Sequence, residues 1–324
     1  LIILIRNSSG GYWLIKLLLA ETLSQKVVER LNEIPEFEIV VKPGMNAHQL
    51  KEEIKDYEAV LVCGTAILNK EILQSAEQLK IVVKAGIELD NIDIEFARSR
   101  NIEVRNTPFA AAITVAEYTL AQMLGICRFI GPAYRSMKAH KWEKPLFSRG
   151  TELYGKTAGI IGMGRIGKEV AKRQLALGMK VLYYDIAAIE ADKDMDALLV
   201  EQVRKVTLDE LLETSDFISV HLPLTGSTRN LLSTNEFEKM KEGVVFVNVA
   251  CGGVVDEVAL MRALAGDKIR AAALDVYEQE PLEEFALIDN EKVFPAPHLG
   301  SSTIEAQERA GFEAISILKE FFNV

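Results

Sequence analysis

The chain has 324 residues, 49% of them hydrophobic and 26% charged, with a formal net charge of −10. That is the composition of a soluble globular protein large enough for two domains, and its acidity excludes nucleic acid or an anionic membrane as the main partner. No stretch reaches the roughly 18 uninterrupted apolar residues of a membrane span.

Cys63, Cys127 and Cys251 are odd in number and follow no metal-ligand spacing, which points to a reducing cytoplasm and to no metal. The opening is apolar at Leu1–Ile5 and again from Tyr12 to Ala20. It lacks a basic leader and Lys16 interrupts it, so it reads as a first strand followed by a helix, not as a signal peptide. Strand-like runs follow at Phe37–Val41, Ala59–Val62, Lys80–Val83 and Ile102–Val104, alternating with helical patterns at Asn46–Ile54, Asn69–Leu79 and Ile92–Arg98. This alternation predicts a parallel α/β unit. A long helix is expected from Ile113 to about Arg128, and then a basic, turn-rich stretch from Pro132 to Lys144.

The most informative segment comes next. Thr157–Ile161 is short, apolar and β-branched, as a buried parallel strand should be, and it runs into Gly162-Met163-Gly164-Arg165-Ile166-Gly167. From Arg165 the period changes: Ile166, Val170, Ala171 and Leu175 recur at helical spacing until Gly178. A second strand, Lys180–Tyr184, ends on Asp185. A GxGxxG alone is as often a glycine-rich turn as a binding site; a strand before it, a helix after it and an acid in register make it a dinucleotide fingerprint. Gly162 permits the turn, Gly164 lets backbone N–H groups approach a pyrophosphate, and Gly167 lets the helix pack on the sheet. The helix N-terminus presents its donors and positive dipole end to the anion. Asp185 suits the ribose hydroxyls and would repel a 2′-phosphate, and Ile186 and Ala187 supply no cation to bind one, so the expected cofactor is NAD, not NADP.

Beyond Asp185 the alternation resumes. Thr207-x-x-Glu210 and Ser233-x-x-Glu236 read as capping boxes, Phe217–Leu222, Val244–Val249 and Ile269–Leu274 as strands, and Thr303–Phe321 as a closing helix. Two α/β units imply a cleft with the dinucleotide on the wall of the second, and polar residues at strand ends should face it. Four such ends stand out: His221 with Pro223, Asn248–Asp256, Asp275–Pro281, and Pro297–Gly300. Hydride transfer to or from a carbonyl needs a proton donor and acceptor, and His298 is the leading candidate among 4 histidines, with Glu280 as the acid to orient it. The plainer alternative is that His298 caps the following helix and Glu280 is a solvated loop acid.

Gly162–Gly167 with Asp185, Val247–Glu257, Leu274–Tyr277 with Glu280-Pro281, and Pro297–Thr303, in this order, resemble the NAD-dependent D-2-hydroxyacid dehydrogenases, nearest to the phosphoglycerate dehydrogenase branch. Asp90–Asp93, Lys141–Lys144 and Gly150–Thr157 are also similar, and the resemblance runs from about Ala59 to Val324. It implies an oxidoreductase that moves hydride between NAD(H) and C2 of a small D-2-hydroxy or 2-keto acid, with a 3-phosphoglycerate-like substrate and a place in serine biosynthesis. The implied fold is α/β with two doubly wound parallel-sheet domains: a Rossmann cofactor domain over 107–296, inserted in a flavodoxin-like substrate domain of 1–106 plus 297–324. His298 would be the acid/base, Glu280 its partner, and Asp275 a ligand of the nicotinamide carboxamide. Arg165 and Ile166 would cover the pyrophosphate, Val249, Ala250 and Cys251 would line the nicotinamide side, and Pro223 and Gly300 would complete the cofactor wall. A homodimer through the cofactor domain, using the helix after Ile113, is also implied; the serine-binding regulatory domains of longer members are not expected here.

The chain departs from that pattern where substrate would bind. Cys251 stands at the position of the family's catalytic Arg, so a bidentate contact is lost in which each hydrogen bond is worth on the order of 1.5–3 kcal/mol. Cys63, Gly64 and Ile67 replace an Arg-Ser pair and a Lys, Ile87-Glu88 replaces a glycine, and Phe109–Ala111 replaces a loop that usually holds Asn. The pocket thus loses cations and gains an acid, with Lys84, Arg105 and Arg135 left to compensate. The readings that follow are an enzyme with altered preference or reduced activity, a catalytically impaired form, a zinc or disulfide role for Cys63 and Cys251 near His298, and a non-enzymatic NAD(H)-binding scaffold.

Overall fold

The computed structural model describes residues 14–64, 66–186 and 197–324. The strand expected at Leu1–Ile5, and Ala187, lie outside them. The chain divides into two compact units, one made of residues up to Ala111 together with Ser302–Val324, the other of Ala112–Ser301.

The first unit holds a parallel sheet of β1 (Ile15–Leu19), β2 (Phe37–Val41), β3 (Ala59–Val62), β4 (Ile81–Lys84) and β5 (Glu103–Asn106), in the order β2-β1-β3-β4-β5. This is the flavodoxin-like strand order. The helix expected over Tyr12–Ala20 is instead strand β1 over its described part. Leu18 packs into the core on one face of the sheet and Leu17 and Leu19 into the core on the other, and all three are fully buried. A strand covered on both faces reads as a continuous apolar run, which periodicity cannot separate from a buried helix. The closing helix Ile304–Phe322 is capped by Thr303, whose side chain accepts the Ala306 N–H, and buries Ala314, Ile315 and Leu318 against Leu17 and Leu19.

The second unit holds β6 (Thr157–Ile161), β7 (Lys180–Tyr184), β8 (Val203–Lys205), β9 (Phe217–Val220), β10 (Val244–Asn248), β11 (Ile269–Leu274) and β12 (Val293–Pro295). They pair in parallel in the order β12-β11-β10-β9-β6-β7-β8, the Rossmann order with one further strand. Ile218, Val220, Phe246, Ala272 and Leu274 fill one face of this sheet. The turn-rich stretch expected from Pro132 is a helix, Ile130–Lys138. Pro132 is its third residue, within the first turn, where a missing N–H breaks no intrahelical bond.

The chain passes between units at Ala111/Ala112 and Ser301/Ser302, a few residues after the junctions read from the sequence. At the first crossing Thr107 N–H still bonds Gly86 O (3.0 Å), and at the second Leu299 and Gly300 still bond Asp275, which keeps each segment on its unit. Among the described residues no helix is long and apolar enough to cross a membrane.

Candidate functional site

Strand β6 is the switch point of the second sheet, with β7 on one side and β9 on the other. Its end is fixed from both neighbours: Gly162 N–H donates to Tyr184 O (2.9 Å) and His221 N–H to Ile161 O (2.8 Å). Gly162 has φ +96°, and a Cβ there would lie 2.7 Å from His221 O, so only glycine fits. A Cβ at Gly167 would lie 2.1 Å from Gly162 O; this is the close helix–strand contact the fingerprint calls for. Over Gly164, by contrast, a Cβ would meet nothing within 4 Å. Gly164 is the N-cap of helix Arg165–Ala176, with Arg165 exposed and Ile166 half-buried on its first turn. Open space over the turn, at a helix end whose first N–H groups lack intrahelical partners, fits a pyrophosphate. Asp185, just past β7, accepts Met163 N–H at 2.7 Å, which sets its carboxylate beside the glycine turn.

The other strand ends are ordered by their own polar groups. At the end of β9, burial lowers the His221 pKa to about 3, so this ring is neutral at physiological pH; its Nε2 lies 3.0 Å from Ser219 Oγ. Pro223 O accepts Thr228 Oγ1–H (2.6 Å). At the end of β10, Asn248 is buried and brackets the next turn: Oδ1 accepts Ala250 N–H (3.2 Å) and Nδ2 donates to Cys251 O (3.3 Å). Val249 is buried, Ala250 and Cys251 half-buried. A Cβ at Gly252 would fall 1.7 Å from Tyr277 O, so this turn is pressed against the loop after β11.

That loop carries the central arrangement. Asp275, 1% exposed, accepts Leu299 N–H on Oδ1 and Gly300 N–H on Oδ2, each at 2.7 Å, and its carbonyl accepts His298 N–H at 2.9 Å. Burial, then the Asp275 charge, push the neighbouring Tyr118 phenol up to about 12. Tyr277 OH lies 3.1 Å from both Leu274 O and Ala296 O, its single proton shared between the two carbonyls. Held this way, His298 adopts φ +53° and its Nδ1 lies 2.7 Å from Glu280 Oε2, while Glu280 Oε1 accepts Tyr277 N–H at 2.9 Å. Both side chains remain partly open to solvent, 40% and 35% exposed. The helix that follows is capped by Thr303, so the alternative of His298 as a cap does not describe this geometry. Sequence reasoning missed Tyr277 and Tyr118 as the residues that shape this corner; Tyr277 had the signal of lying two residues after a strand-end acid, and Tyr118, on a helix distant in sequence, had none.

Several positions that the sequence suggested for substrate make their bonds within the first unit instead. Glu21, directly after β1, accepts the N–H groups of Cys63, Gly64 (2.7 Å) and Ala66 (2.8 Å). Burial, then Glu21, push the Cys63 thiol up to about 12. Lys84 is buried and donates to Asn91 Oδ1 (2.9 Å); Arg105 pairs with Glu103 and Glu320 (3.3 Å to the latter); Arg135 is exposed on its helix. Cys63, Cys127 and Cys251 are free thiols, and among the described residues no three His, Cys, Asp or Glu side chains gather as a metal site.

Residues 120–300 match the family described as "D-isomer specific 2-hydroxyacid dehydrogenase, NAD binding domain". The chain belongs to this family. The family is one of enzymes, and its cofactor here is NAD. Among curated relatives, the D-3-phosphoglycerate dehydrogenase of Methanocaldococcus jannaschii is 40% identical over 92% of this chain and 56% of its own length. The hydroxypyruvate reductase of Thermotoga maritima is 41% identical over 93% of this chain and 96% of its own. Among solved structures, D-lactate dehydrogenase from Aquifex aeolicus, complexed with NAD and lactic acid, superposes with a TM-score of 0.77 at 28% identity, covering 95% of each chain. The chain thus spans about half the length of the phosphoglycerate dehydrogenase it resembles and nearly all of the hydroxypyruvate reductase.

Proposed function

We propose that this family member transfers hydride between NAD(H) and C2 of a D-2-hydroxy or 2-keto acid, with 3-phosphoglycerate and its keto acid as the first pair to test and hydroxypyruvate as the second. The observation that carries the reading is the 2.7 Å contact between His298 Nδ1 and Glu280 Oε2 at the end of the cofactor-domain sheet. With a carboxylate on Nδ1, the neutral ring keeps its proton there and leaves Nε2 as its basic nitrogen. Nε2 takes the hydroxyl proton as the alcohol is oxidised and returns it on reduction, and Glu280 balances the charge the ring gains.

NAD, when bound, supplies the hydride acceptor and, as NADH, the donor. The Gly162–Gly167 turn with Arg165 and Ile166 would hold its pyrophosphate, Asp185 its ribose hydroxyls, and Pro223, Val249, Ala250, Cys251 and Gly300 would line its path. Asp275 gives each oxygen to one backbone N–H, which shapes the His298 segment, and its remaining lone pairs would meet the nicotinamide carboxamide. At Cys251 a thiol cannot grip a substrate carboxylate as a guanidinium does, and this favours low turnover or, as a second reading, an impaired enzyme or NAD(H)-binding scaffold. Exposed Ile130, Tyr134, Met137, Trp142 and Tyr154 on the second unit support a homodimer, and three free thiols a reducing cytoplasm. The test is NADH consumption with phosphohydroxypyruvate, hydroxypyruvate, glyoxylate and 2-oxoglutarate at high enzyme concentration, beside His298→Asn. Turnover lost by about 10²-fold or more in the variant supports the enzyme; tight NADH binding with no consumption by the native chain supports the scaffold.

A further inference from the structure

Glu280 is held to His298 through a loop whose geometry depends on a second carboxylate, that of Glu257. Glu257 is the first residue of helix Glu257–Ala265, and its backbone is well anchored. The N-cap Asp256 accepts Ala259 N–H (2.9 Å), takes Ser233 Oγ–H (2.9 Å), and gives its own N–H to Leu232 O (3.0 Å). From this fixed point the Glu257 side chain accepts Glu278 N–H on Oε1 at 2.7 Å. That N–H belongs to the Tyr277–Glu278 peptide, and the carbonyl of the same peptide is pressed against Gly252. The peptide is therefore gripped at both ends. The preceding amide, Tyr277 N–H, is the one that holds Glu280 Oε1.

We infer that Glu257 is a positioning residue: by fixing the Tyr277–Glu278 peptide it sets the direction of Tyr277 N–H, and so the placement of Glu280 against His298 Nδ1. Without it, the peptide keeps only its packing against Gly252, and the hold of Tyr277 N–H on Glu280 is loosened. The local charge agrees with a role as hydrogen-bond acceptor. Burial raises the Glu257 pKa, the Glu278 N–H pulls it back, and the charges of Glu278 and Glu280 add to the rise. Arg229, 4.0 Å from Glu278, is the nearby cation. An acceptor oxygen in this place, more than a negative charge, is what the geometry uses.

The inference rests on the proposed acid/base pair, so its test has one arm that needs no turnover. Three variants separate reach from charge: Glu257→Gln keeps the acceptor without the charge, Glu257→Asp keeps the charge but is one methylene too short, and Glu257→Ala keeps neither. In the intact chain the ring Nδ1 proton of His298 is followed by proton–nitrogen NMR, with Glu280→Gln marking loss of the pair. Glu257→Gln should retain the native signal and keep kcat within about threefold, while Glu257→Asp and Glu257→Ala shift or broaden it and lower kcat about tenfold, the effect of one hydrogen bond, with KM for NADH unchanged. A native signal in Glu257→Asp and Glu257→Ala, or equal losses in all three, overturns the inference. If Glu257→Ala does not fold, the Gln and Asp variants decide it. No turnover by the native chain would sink the proposed activity and leave the NMR arm to judge Glu257 alone.

Discussion

Asp275 should be the most costly single carboxylate to remove from the second unit. Its side chain accepts two backbone N–H groups at 2.7 Å from a site that is 1% exposed. Hydrogen bonds to a charged group are worth about 1.5–3 kcal/mol each, which brackets the loss in Asp275→Ala at about 3–6 kcal/mol. Leu299 is 45% exposed, so water can recover part of its share, whereas Gly300 is buried and cannot be compensated; this lowers the expectation to about 3–4 kcal/mol. Asp275→Asn keeps one acceptor but turns an NH₂ toward a backbone donor, and should cost about 2 kcal/mol. Since a chain of two units need not unfold in one step, the measurement is amide exchange of the 297–303 segment, with urea unfolding beside it. Protection should collapse at Leu299 and Gly300, while His298 N–H, bonded to the Asp275 carbonyl, is less affected. A loss below about 1 kcal/mol with native exchange at Gly300 would refute the reasoning.

Three other outcomes follow from the same geometry. Cys251→Arg should raise kcat/KM for a 2-keto acid at least about tenfold, equivalent to about 1.4 kcal/mol of transition-state stabilisation; an unchanged rate would show that position 251 does not meet the substrate. Asp185→Ala should weaken NADH binding in a fluorescence titration and narrow the preference over NADPH; a native chain that prefers NADPH would contradict the assigned role. Burial would raise the Asp216 pKa, but Lys241 at 2.7 Å and the Thr157 N–H outweigh it and hold the carboxyl below its ordinary value. Its folded value being depressed, Asp216 stabilises the protein above about pH 4 and loses that contribution as pH falls through the folded pKa. Asp216→Asn should therefore flatten the acid limb of the stability curve, and an unchanged limb would count against this assignment.

The glycine turn was legible because Gly162, the apolar strand before it, the helical period after it and Asp185 are all local signals. The pairing of His298 with Glu280 was suggested by residue type, but sequence carries no distance, and what joins them is a loop fastened by Tyr277 and Asp275. Strand β1 was misread because Leu17, Leu18 and Leu19 are buried on both faces and so show no alternation. Helix Ile130–Lys138 was missed because Pro132 looks like a breaker unless its first-turn position is known. Glu21 drew no notice, since an acid after a strand is ordinary; only its distances to Gly64 and Ala66 reveal its use.

Glu21 also changes what the loop after β3 can offer a ligand. The N–H groups of Cys63, Gly64 and Ala66 converge as a small anion receptor, and the chain fills that receptor with a carboxylate of its own. A tethered group competes at an effective concentration on the order of millimolar or above, without the entropy a free anion must lose. A dissolved carboxylate or phosphate at micromolar levels would be displaced from those amides nearly all of the time. The loop is in effect a lock with its own key left in place, and shortening Glu21 to Ala would be the way to open it.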